Sequence, residues 1–227
     1  MTAYRRFAVY YAPPARSELA RFGASWLGWD AGAGSVAVHP EVPLDVAAIT
    51  RTPRKYGFHG TLKPPFKLAG GSTEAALSDA VSALAGSICP FDIAPLALRP
   101  IGRFIALVPS RASDALADLA AACVQRLDPF RAPLTEADRA KRRRNGLSAR
   151  QEMHLEAWGY PYVLEEFRFH LTLSGPLDTE TAGRVLGVLH PLVAPHVTDP
   201  VPVRDVAMFG ERADGRFEII RRYPLTG

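Results

Sequence analysis

A His-x-Thr-Leu tetrapeptide occurs twice in this chain, at residues 59–62 and 170–173. The second copy follows the first after about 110 residues, and a Gly-Arg-Phe tripeptide recurs at nearly the same interval, at 102–104 and 215–217. Self-similarity at one fixed interval is typical of repeated structural units. The chain is therefore constrained to fold as two similar halves, approximately 54–110 and 165–224, inside one compact unit over residues 1–227.

Each half has the same predicted order of elements, in which a strand with the tetrapeptide precedes a capped helix and two further strands. Apolar spacing and capping residues predict the helices, and short apolar runs bounded by turn residues predict the strands. The charge-rich segment at about 129–160 is predicted to be a helical insert or lid with two short helices. The predicted strands are 7–12, 56–62, 91–98, 104–108, 166–173, 203–209 and 217–221, and the predicted helices are 17–27, 73–85, one capped by Ser113, and 179–189.

Composition and charge narrow the class of protein. No apolar run approaches the roughly 20 residues that cross a bilayer, and the run at 7–12 is too short for the apolar region of a signal peptide. Cys89 and Cys123 form no CxxC pair and have no metal-ligand spacing, so neither a disulfide framework nor a zinc site is predicted and a reducing cytoplasm is expected. A net charge of +4 suits an anionic substrate but is too small to indicate DNA binding.

The tetrapeptides have the pattern of half-buried strands. Side chains alternate between the faces of a strand, so His59 and Thr61 point the same way, as do His170 and Thr172. A pseudo-twofold axis would bring these four polar side chains around one pocket. One neutral imidazole would accept a proton while the other, protonated, would donate one, and the threonine hydroxyls would donate hydrogen bonds to phosphoryl oxygens. Such a set requires neither a metal ion nor a cofactor.

Four further residues are candidates for substrate binding. Lys63 and Arg168 each lie two residues from a motif residue, which places them either on the pocket face or at a solvated strand end. Arg131 either lines the cleft from the insert or pairs with a carboxylate such as Glu136. Tyr56 has the opposite parity from the first motif histidine, so a direct role there requires a local twist.

Two other segments allow a functional and a structural interpretation. The run Lys141–Arg144 either attracts a polyanion or forms a solvated face, and a solvated face is the commoner case. The segment Trp158–Val163 either stacks on a base or packs in the core. The four remaining histidines have no motif context, and no role is assigned to them, namely His39, His154, His190 and His196.

The paired motifs, together with residues 54–66, 130–135 and 158–163, resemble the two-histidine (2H) phosphoesterase superfamily, and within it a bacterial branch often encoded in phosphonate-utilisation operons. The resemblance covers nearly the whole chain. It implies an α+β fold of two pseudo-symmetric lobes, each an antiparallel sheet with helices on its outer face, around a central cleft. It also implies hydrolysis or opening of a 2′,3′-cyclic, ribose cyclic or 2′-linked phosphodiester, with His59, Thr61, His170 and Thr172 at the motif positions.

Two hypotheses of different class follow from this pattern. The first is a metal-independent phosphoesterase acting on a small phosphodiester or nucleotide, with an RNA end as another possible substrate. The second is a non-catalytic binding module in which the histidines only hydrogen-bond a phosphate. Neither requires a membrane. The near-symmetric motifs do not say which histidine is the base, and the sequence does not indicate an oligomeric state.

Overall fold

The computed structural model describes residues 4–144 and 146–227. Runs of helices and runs of strands follow one another along the chain. The helices are α1 (Glu18–Leu27), α2 (Val46–Ile49), α3 (Arg51–Arg54), α4 (Glu74–Gly86), α5 (Asp114–Arg126), α6 (Glu136–Arg143), α7 (Ala149–Trp158) and α8 (Thr179–Val193). The strands are β1 (Phe7–Tyr11), β2 (Gly60–Phe66), β3 (Phe91–Ile93), β4 (Leu96–Ile101), β5 (Phe104–Pro109), β6 (Leu171–Thr172), β7 (Val201–Val203), β8 (Asp205–Glu211) and β9 (Phe217–Pro224).

The main sheet has seven strands in the order β4-β5-β6-β2-β1-β8-β9, and β3 pairs with β7 in a separate two-stranded sheet. Every one of these strand pairs is antiparallel. Helices cover the sheet, so the predicted α+β class with an antiparallel sheet is confirmed.

The two halves of the sheet meet where the motif strands meet. Within the described residues, β2 and β6 share one registered pair, Gly60 opposite Leu171. One half of the sheet is β4-β5-β6 and the other is β2-β1-β8-β9, which makes a single sheet with a narrow join rather than two separate sheets. The motif residues therefore lie at the junction between the two halves.

The elements after each motif are exchanged between the halves of the sheet. After β2 the chain forms α4, β3, β4 and β5, and after β6 it forms α8, β7, β8 and β9. Helix α4 packs on the hairpin β8-β9, whereas α8 packs on the hairpin β4-β5. Each half of the sheet thus combines a motif strand or helix from one part of the sequence with a hairpin from the other.

The helix starts were predicted well because their capping residues are explicit in the sequence. Ser17, Thr73 and Ser113 each accept a hydrogen bond from a backbone N–H in the first turn of the helix that follows. Within the insert, α6 and α7 both begin with a capping box, formed by Thr135 with Asp138 and by Ser148 with Gln151. These caps stop the two short helices from fraying at their N-termini.

Three strand predictions were wrong in extent. Strand β2 begins at Gly60 instead of residue 56 and continues through two prolines at 64–65, which lie where the register with β1 shifts and so remove no regular ladder hydrogen bond. The predicted strand 166–173 shrinks to Leu171–Thr172, because residues 164–166 form a 3-10 turn. The predicted strand 91–98 is two strands, β3 and β4.

The core lies on both faces of the main sheet. The larger apolar cluster fills the face covered by α4, α5 and α8 and includes Val9, Leu62 and Phe169. The smaller cluster, on the other face of β1, includes Tyr10 and Trp29. Among the described residues, no helix has both the length and the apolar character that a membrane span requires.

Candidate active site

The strand register assembles the four polar residues of the two motifs. Gly60 is paired with Leu171, so continuing the antiparallel register by one residue sets Thr61 opposite His170 and His59 opposite Thr172. Residues directly opposite each other in a sheet share a face, with Cα atoms about 4.5–5.5 Å apart. The histidines and threonines therefore form a diagonal two-by-two arrangement on one face at the join of the sheet.

Gly60 makes this close join possible. A Cβ atom at position 60 would lie 2.3 Å from Cε2 of Phe169, well inside van der Waals contact. The Phe169 ring is buried with Leu171 and Leu173 in the larger core cluster. The apolar residues that alternate with the motif residues thus anchor the strands from the face opposite the candidate site.

Both motif histidines are held by the same hydrogen bond. The Nδ1 atom of His59 lies 2.9 Å from the carbonyl oxygen of Gly57, and Nδ1 of His170 lies 2.7 Å from the carbonyl oxygen of Arg168. A carbonyl oxygen only accepts, so Nδ1 carries the proton in each ring. The neutral imidazoles consequently both present the lone pair of Nε2, the atom that is left to exchange protons with a substrate.

His59 is the more enclosed of the two rings. It stacks on Tyr10 with ring centroids 3.8 Å apart, and its Nε2 lies 3.2 Å from the hydroxyl of Thr61. The pKa of His59 is lowered from its ordinary value to about 4, mainly by burial and to a smaller extent by the neighbouring His170, while the hydrogen bond to Gly57 opposes the shift. His59 is therefore neutral at neutral pH and accepts a hydrogen bond from Thr61.

His170 lies at the edge of an open cavity. Burial lowers its pKa, although the hydrogen bond to the Arg168 carbonyl opposes this shift. The ring of Phe104 is 5.5 Å away, and among the described residues no side chain forms a hydrogen bond with Nε2. His170, Thr61 and Arg168 line a cavity of about 430 Å³. This volume lies within the range of small-ligand pockets.

The cavity has a largely apolar and aromatic wall with few polar groups. Strand residues, helix α5 and the segment after α7 contribute to it. Gln151 donates a hydrogen bond of 3.0 Å to the Glu166 carboxylate inside this lining. The aromatic residues are Phe104, Tyr160, Tyr162 and Phe167. Three residues of the predicted aromatic segment, Tyr160, Tyr162 and Val163, line the cavity, and Val163 is also buried.

Lys63 does not lie with the histidines, so its predicted placement on the pocket face was wrong. The register with β1 shifts between Thr61, which is opposite Tyr10, and Lys63, which is opposite Val9. This bulge inserts an extra residue and reverses the alternation, so Lys63 points toward α5. Its side chain is 2% exposed and donates a 2.9 Å hydrogen bond to the carbonyl oxygen of Val124.

Arg131 and Tyr56 do not line the cavity, whereas Arg168 does. Arg131 forms a bidentate ion pair with Asp128, at 2.8 and 3.1 Å, so the predicted alternative of a carboxylate partner is confirmed, with Asp128 in the place of Glu136. Tyr56 lies beside the site, with its ring centroid 6.1 Å from that of His59. Of the four predicted binding residues, only Arg168 lines the cavity with a motif histidine.

Tyr10 and Phe104 were missed as site residues. Both come from strands predicted as ordinary core strands, and their apolar neighbours give no signal that one ring covers a histidine. The Gly102-Arg103-Phe104 repeat was the one available clue for Phe104. In the part of the chain that the structure describes, no group of three or more His, Cys, Asp or Glu side chains is placed to hold a metal ion.

The chain belongs to the family described as "Protein of unknown function (DUF1045)", whose model matches residues 61–218. A protein of Janthinobacterium sp. (strain Marseille) named ribose 1,5-bisphosphate phosphokinase PhnN is 39% identical over 176 residues, which are 76% of this chain and 39% of the relative. A protein of the same name from Laribacter hongkongensis (strain HLHK9) is 38% identical over 175 residues, 76% of this chain and 40% of the relative. The chain spans about two fifths of the length of these relatives.

Solved structures with a similar fold include E. coli LigT in its apo form, at 16% identity and a TM-score of 0.48. The complex of E. coli LigT with phosphate has 15% identity and a TM-score of 0.47. Both comparisons cover 100% of each chain. A structure described as a phosphoesterase has 16% identity and a TM-score of 0.44, over 99% of each chain.

Proposed function

We propose that this protein is a metal-independent phosphoesterase that hydrolyses or opens a small cyclic or 2′-linked phosphodiester. The observation that carries the proposal is the matched pair of histidines, each with Nδ1 donating to the carbonyl two residues earlier and Nε2 available for proton exchange. Two imidazoles in one tautomer, each opposite a threonine hydroxyl, are the groups that acid–base cleavage of a phosphodiester needs.

His59 is proposed as the base and His170 as the acid. Burial under Tyr10 keeps His59 neutral well below neutral pH, so it is ready to accept a proton. The positive charge of a protonated His170 also disfavours protonation of His59, which is consistent with His59 as the base when His170 is the acid. The negative charge of a bound phosphodiester raises the pKa of a neighbouring imidazole, and His170 then takes up its proton together with the substrate.

The proposed hydrolysis needs one proton transfer at each histidine. Nε2 of His59 removes a proton from water, whose oxygen forms a bond to phosphorus as the bond to the departing oxygen breaks. Nε2–H of His170 gives its proton to that oxygen, and the product is a phosphomonoester with a free hydroxyl. The hydroxyl of Thr172 donates a hydrogen bond to a non-bridging oxygen, on which negative charge grows. The hydroxyl of Thr61 does the same after it turns away from Nε2 of His59, which frees that nitrogen to accept the proton from water.

The lining of the cavity supports a substrate with an organic group beside its phosphate. Arg168 is exposed at the cavity next to His170, where a guanidinium attracts a phosphodiester. The aromatic rings opposite it offer stacking surfaces for a base, which are sequence-tolerant because every base has a π face. A nucleotide or ribose phosphodiester is therefore the proposed substrate class, with an RNA end as a larger version of it.

The kinase activity named for the relatives is not proposed for this chain. Transfer of a phosphoryl group from a nucleoside triphosphate commonly uses a G-x-x-x-x-G-K-[ST] loop, and no glycine in this sequence precedes a lysine. The relatives are more than twice as long as the segment they share with this chain. What supports the phosphoesterase proposal is the site itself.

The test is turnover of a panel of 2′,3′-cyclic nucleotides, ribose cyclic phosphates and short 2′-5′ oligonucleotides, with EDTA present. Wild type is compared with the His59→Ala/His170→Ala double variant, and Arg111→Ala, an exposed site away from the cavity, is the matched control. Activity in wild type and control that the double variant lacks supports the proposal. Binding of these ligands without any turnover would overturn it in favour of a non-catalytic nucleotide-binding module.

A further inference from the structure

A second, smaller pocket lies next to the cavity and is strongly basic. It has a volume of about 90 Å³, which is too small for a nucleoside but suits a tetrahedral anion. One carboxylate, from Asp138, is in its lining. The six cationic side chains of this basic pocket are Arg6, Lys63, Lys67, Arg131, Lys141 and Arg142.

Half of these cations have no carboxylate at ion-pair distance in the part of the chain that the structure describes. The pKa of Asp138, lowered mainly by its hydrogen bonds with Thr135, is also lowered by the charges of Lys67 and Arg142. Among the described residues, Lys67, Lys141 and Arg142 form no ion pair. Two of them belong to the run 141–144, for which a solvated face was the favoured interpretation. Arg143, by contrast, does pair with Glu152 and with Glu156, the latter at 2.7 Å.

The other cations are only partly neutralised. Arg6 has its own partner, Glu211, at 2.6 and 2.8 Å. Lys63 and Arg131 share one carboxylate, Asp128, which lies 3.5 Å from the lysine Nζ but 2.8 Å from the arginine Nε. The carboxylate of Asp138 is also engaged, since it accepts hydrogen bonds of 2.7 and 3.2 Å from Thr135. The pocket therefore has an excess of positive charge.

Lys63 gives this pocket a built-in donor. Its ammonium group has three N–H donors, of which one is given to Val124 and one makes the long contact to Asp128. Its Nζ also lies 5.3 Å from the centroid of the Phe66 ring, so the third donor is free to turn toward an anion. A charged lysine that is only 2% exposed is costly to bury, and an anion in the pocket would offset that cost. Burial lowers the pKa of Lys63 to about 8, although the attraction of Asp128 opposes this shift. A bound anion would raise the pKa of Lys63 again.

The basic pocket adjoins the candidate active site. Pro64 and Val124 line both the basic pocket and the larger cavity. Arg142, in the basic pocket, lies 4.7 Å above the ring of Tyr160, which lines the cavity. The two pockets are therefore neighbours with lining residues in common.

We infer that the basic pocket is a second phosphoryl-binding site, separate from the motif histidines. Its ligand is a phosphate group, supplied either as the distal phosphoryl group of the substrate or as free inorganic phosphate. The first source rests on the proposed function and would make the substrate a phosphodiester with an additional phosphate. Binding of a phosphate in the basic pocket does not depend on turnover.

The first arm of the test measures inorganic phosphate binding by calorimetry to full-length protein with the substitutions His59→Ala and His170→Ala, so that the histidine site makes no contribution. We expect one phosphate to bind, and Lys67→Ala/Arg142→Ala in that background to weaken binding at least tenfold. Lys63→Met, checked for folding by circular dichroism, should do the same, while Arg111→Ala should not. Undetectable binding, or equal binding by the pocket variants, would overturn the inference.

The second arm distinguishes the two sources of phosphate. KM is measured for a 2′,3′-cyclic nucleotide with a 5′-hydroxyl and for the same nucleotide with a 5′-phosphate. If the substrate supplies the phosphate, Lys67→Ala/Arg142→Ala raises KM several-fold more for the 5′-phosphorylated substrate. Equal increases, with phosphate binding intact in the first arm, assign the basic pocket to free phosphate. Absence of turnover contradicts the proposed function and leaves the first arm to decide.

Discussion

The two motif segments share a sequence and a hydrogen-bonding scheme, but their histidines are in different environments. His59 stacks on Tyr10, a β1 residue, whereas His170 borders the cavity beside Phe104. The strand after His59 has seven residues, and the strand after His170 has two. A duplicated motif therefore supplies two equivalent chemical groups, and the neighbouring, unduplicated strand makes them unequal.

The largest expected effect is a loss of kcat when one of the two motif histidines, which both segments share, is replaced. Replacing either histidine with alanine removes one of the two proton-transfer groups, which contribute about 10²–10⁴-fold to a rate. We expect kcat of His59→Ala and of His170→Ala to fall by roughly that factor, and the double variant to be little worse than either single variant, because the two act as a unit. Steady-state kinetics on the substrate found by the panel, with Arg111→Ala as control, measures this.

A variant retaining more than about a tenth of wild-type kcat would contradict the role of that histidine. If only one of the two variants were impaired, the mechanism would have one acid–base histidine and not two.

The next effect is on the pH dependence of the free energy of unfolding, and it distinguishes His59 from His170. The pKa of His59 is about 4 in the folded protein, below its ordinary value of 6.5, so between these values the unfolded chain binds more protons and stability increases with pH. The stabilisation is complete above pH 6.5 and is lost as the pH falls toward 4, by about 2–3 kcal/mol. Urea unfolding at pH 4.5 and 7 should show a smaller pH dependence in His59→Gln than in wild type.

His170→Gln is the matched variant, because it removes the other motif histidine from the same junction. The same pH dependence in wild type and His59→Gln would contradict the low pKa of His59, and an equal reduction in both variants would contradict the inequality of the two sites.

The second residue of the motif also differs between the two copies: it is Gly60 in the first and Leu171 in the second, and the two residues are paired across the join. Gly60→Ala places a Cβ 2.3 Å from the Phe169 ring, so the ring or the strand must shift. We expect this overpacking to destabilise the protein by about 1–3 kcal/mol in urea unfolding. Gly187→Ala in α8 is the control, because no atom other than its chain neighbours and the nearby backbone of its own helix lies within 4 Å of the added Cβ, and helix propensity favours alanine.

Equal stability of Gly60→Ala and wild type would show that Phe169 moves freely, and the close approach of the motif strands would then not depend on glycine. A large loss in the Gly187→Ala control would indicate that the measurement reports on something other than the junction.

The sequence predicted the parts of the site that depend on short-range rules. Strand alternation placed His59 with Thr61 and His170 with Thr172, and the capping residues Ser17 and Thr73 located their helices. It failed for Lys63, two residues further along, because a bulge is set by pairing with β1 and leaves no local signal.

The side chains around the histidines could not be predicted from the sequence, because they are set by pairing between strands that are distant in the chain. The order of seven strands, which brings Tyr10 over His59, requires knowing that β1 lies between β2 and β8. Nothing in the alternation or composition of residues 7–12 specifies that neighbour. The basic pocket likewise gathers cations from the residue before β1, from β2 and the residue after it, and from α6 and the segment before it, which are far apart in the sequence.

The smallest expected effect tests whether Tyr10 is the cause of the inequality. Tyr10→Leu removes the ring that stacks on His59, so water reaches the imidazole and its pKa rises from about 4 toward 6.5. Because the proposed base must be neutral, kcat/KM falls at pH values below its pKa, and the acidic limb of the pH profile should move to higher pH by about one unit. Tyr10→Phe keeps the ring and should leave the limb in place. NMR titration of the His59 ring gives the same pKa without turnover. An unchanged limb and an unchanged titration in Tyr10→Leu would mean that the remaining walls of the junction, Phe209 among them, bury His59 without the stacked ring.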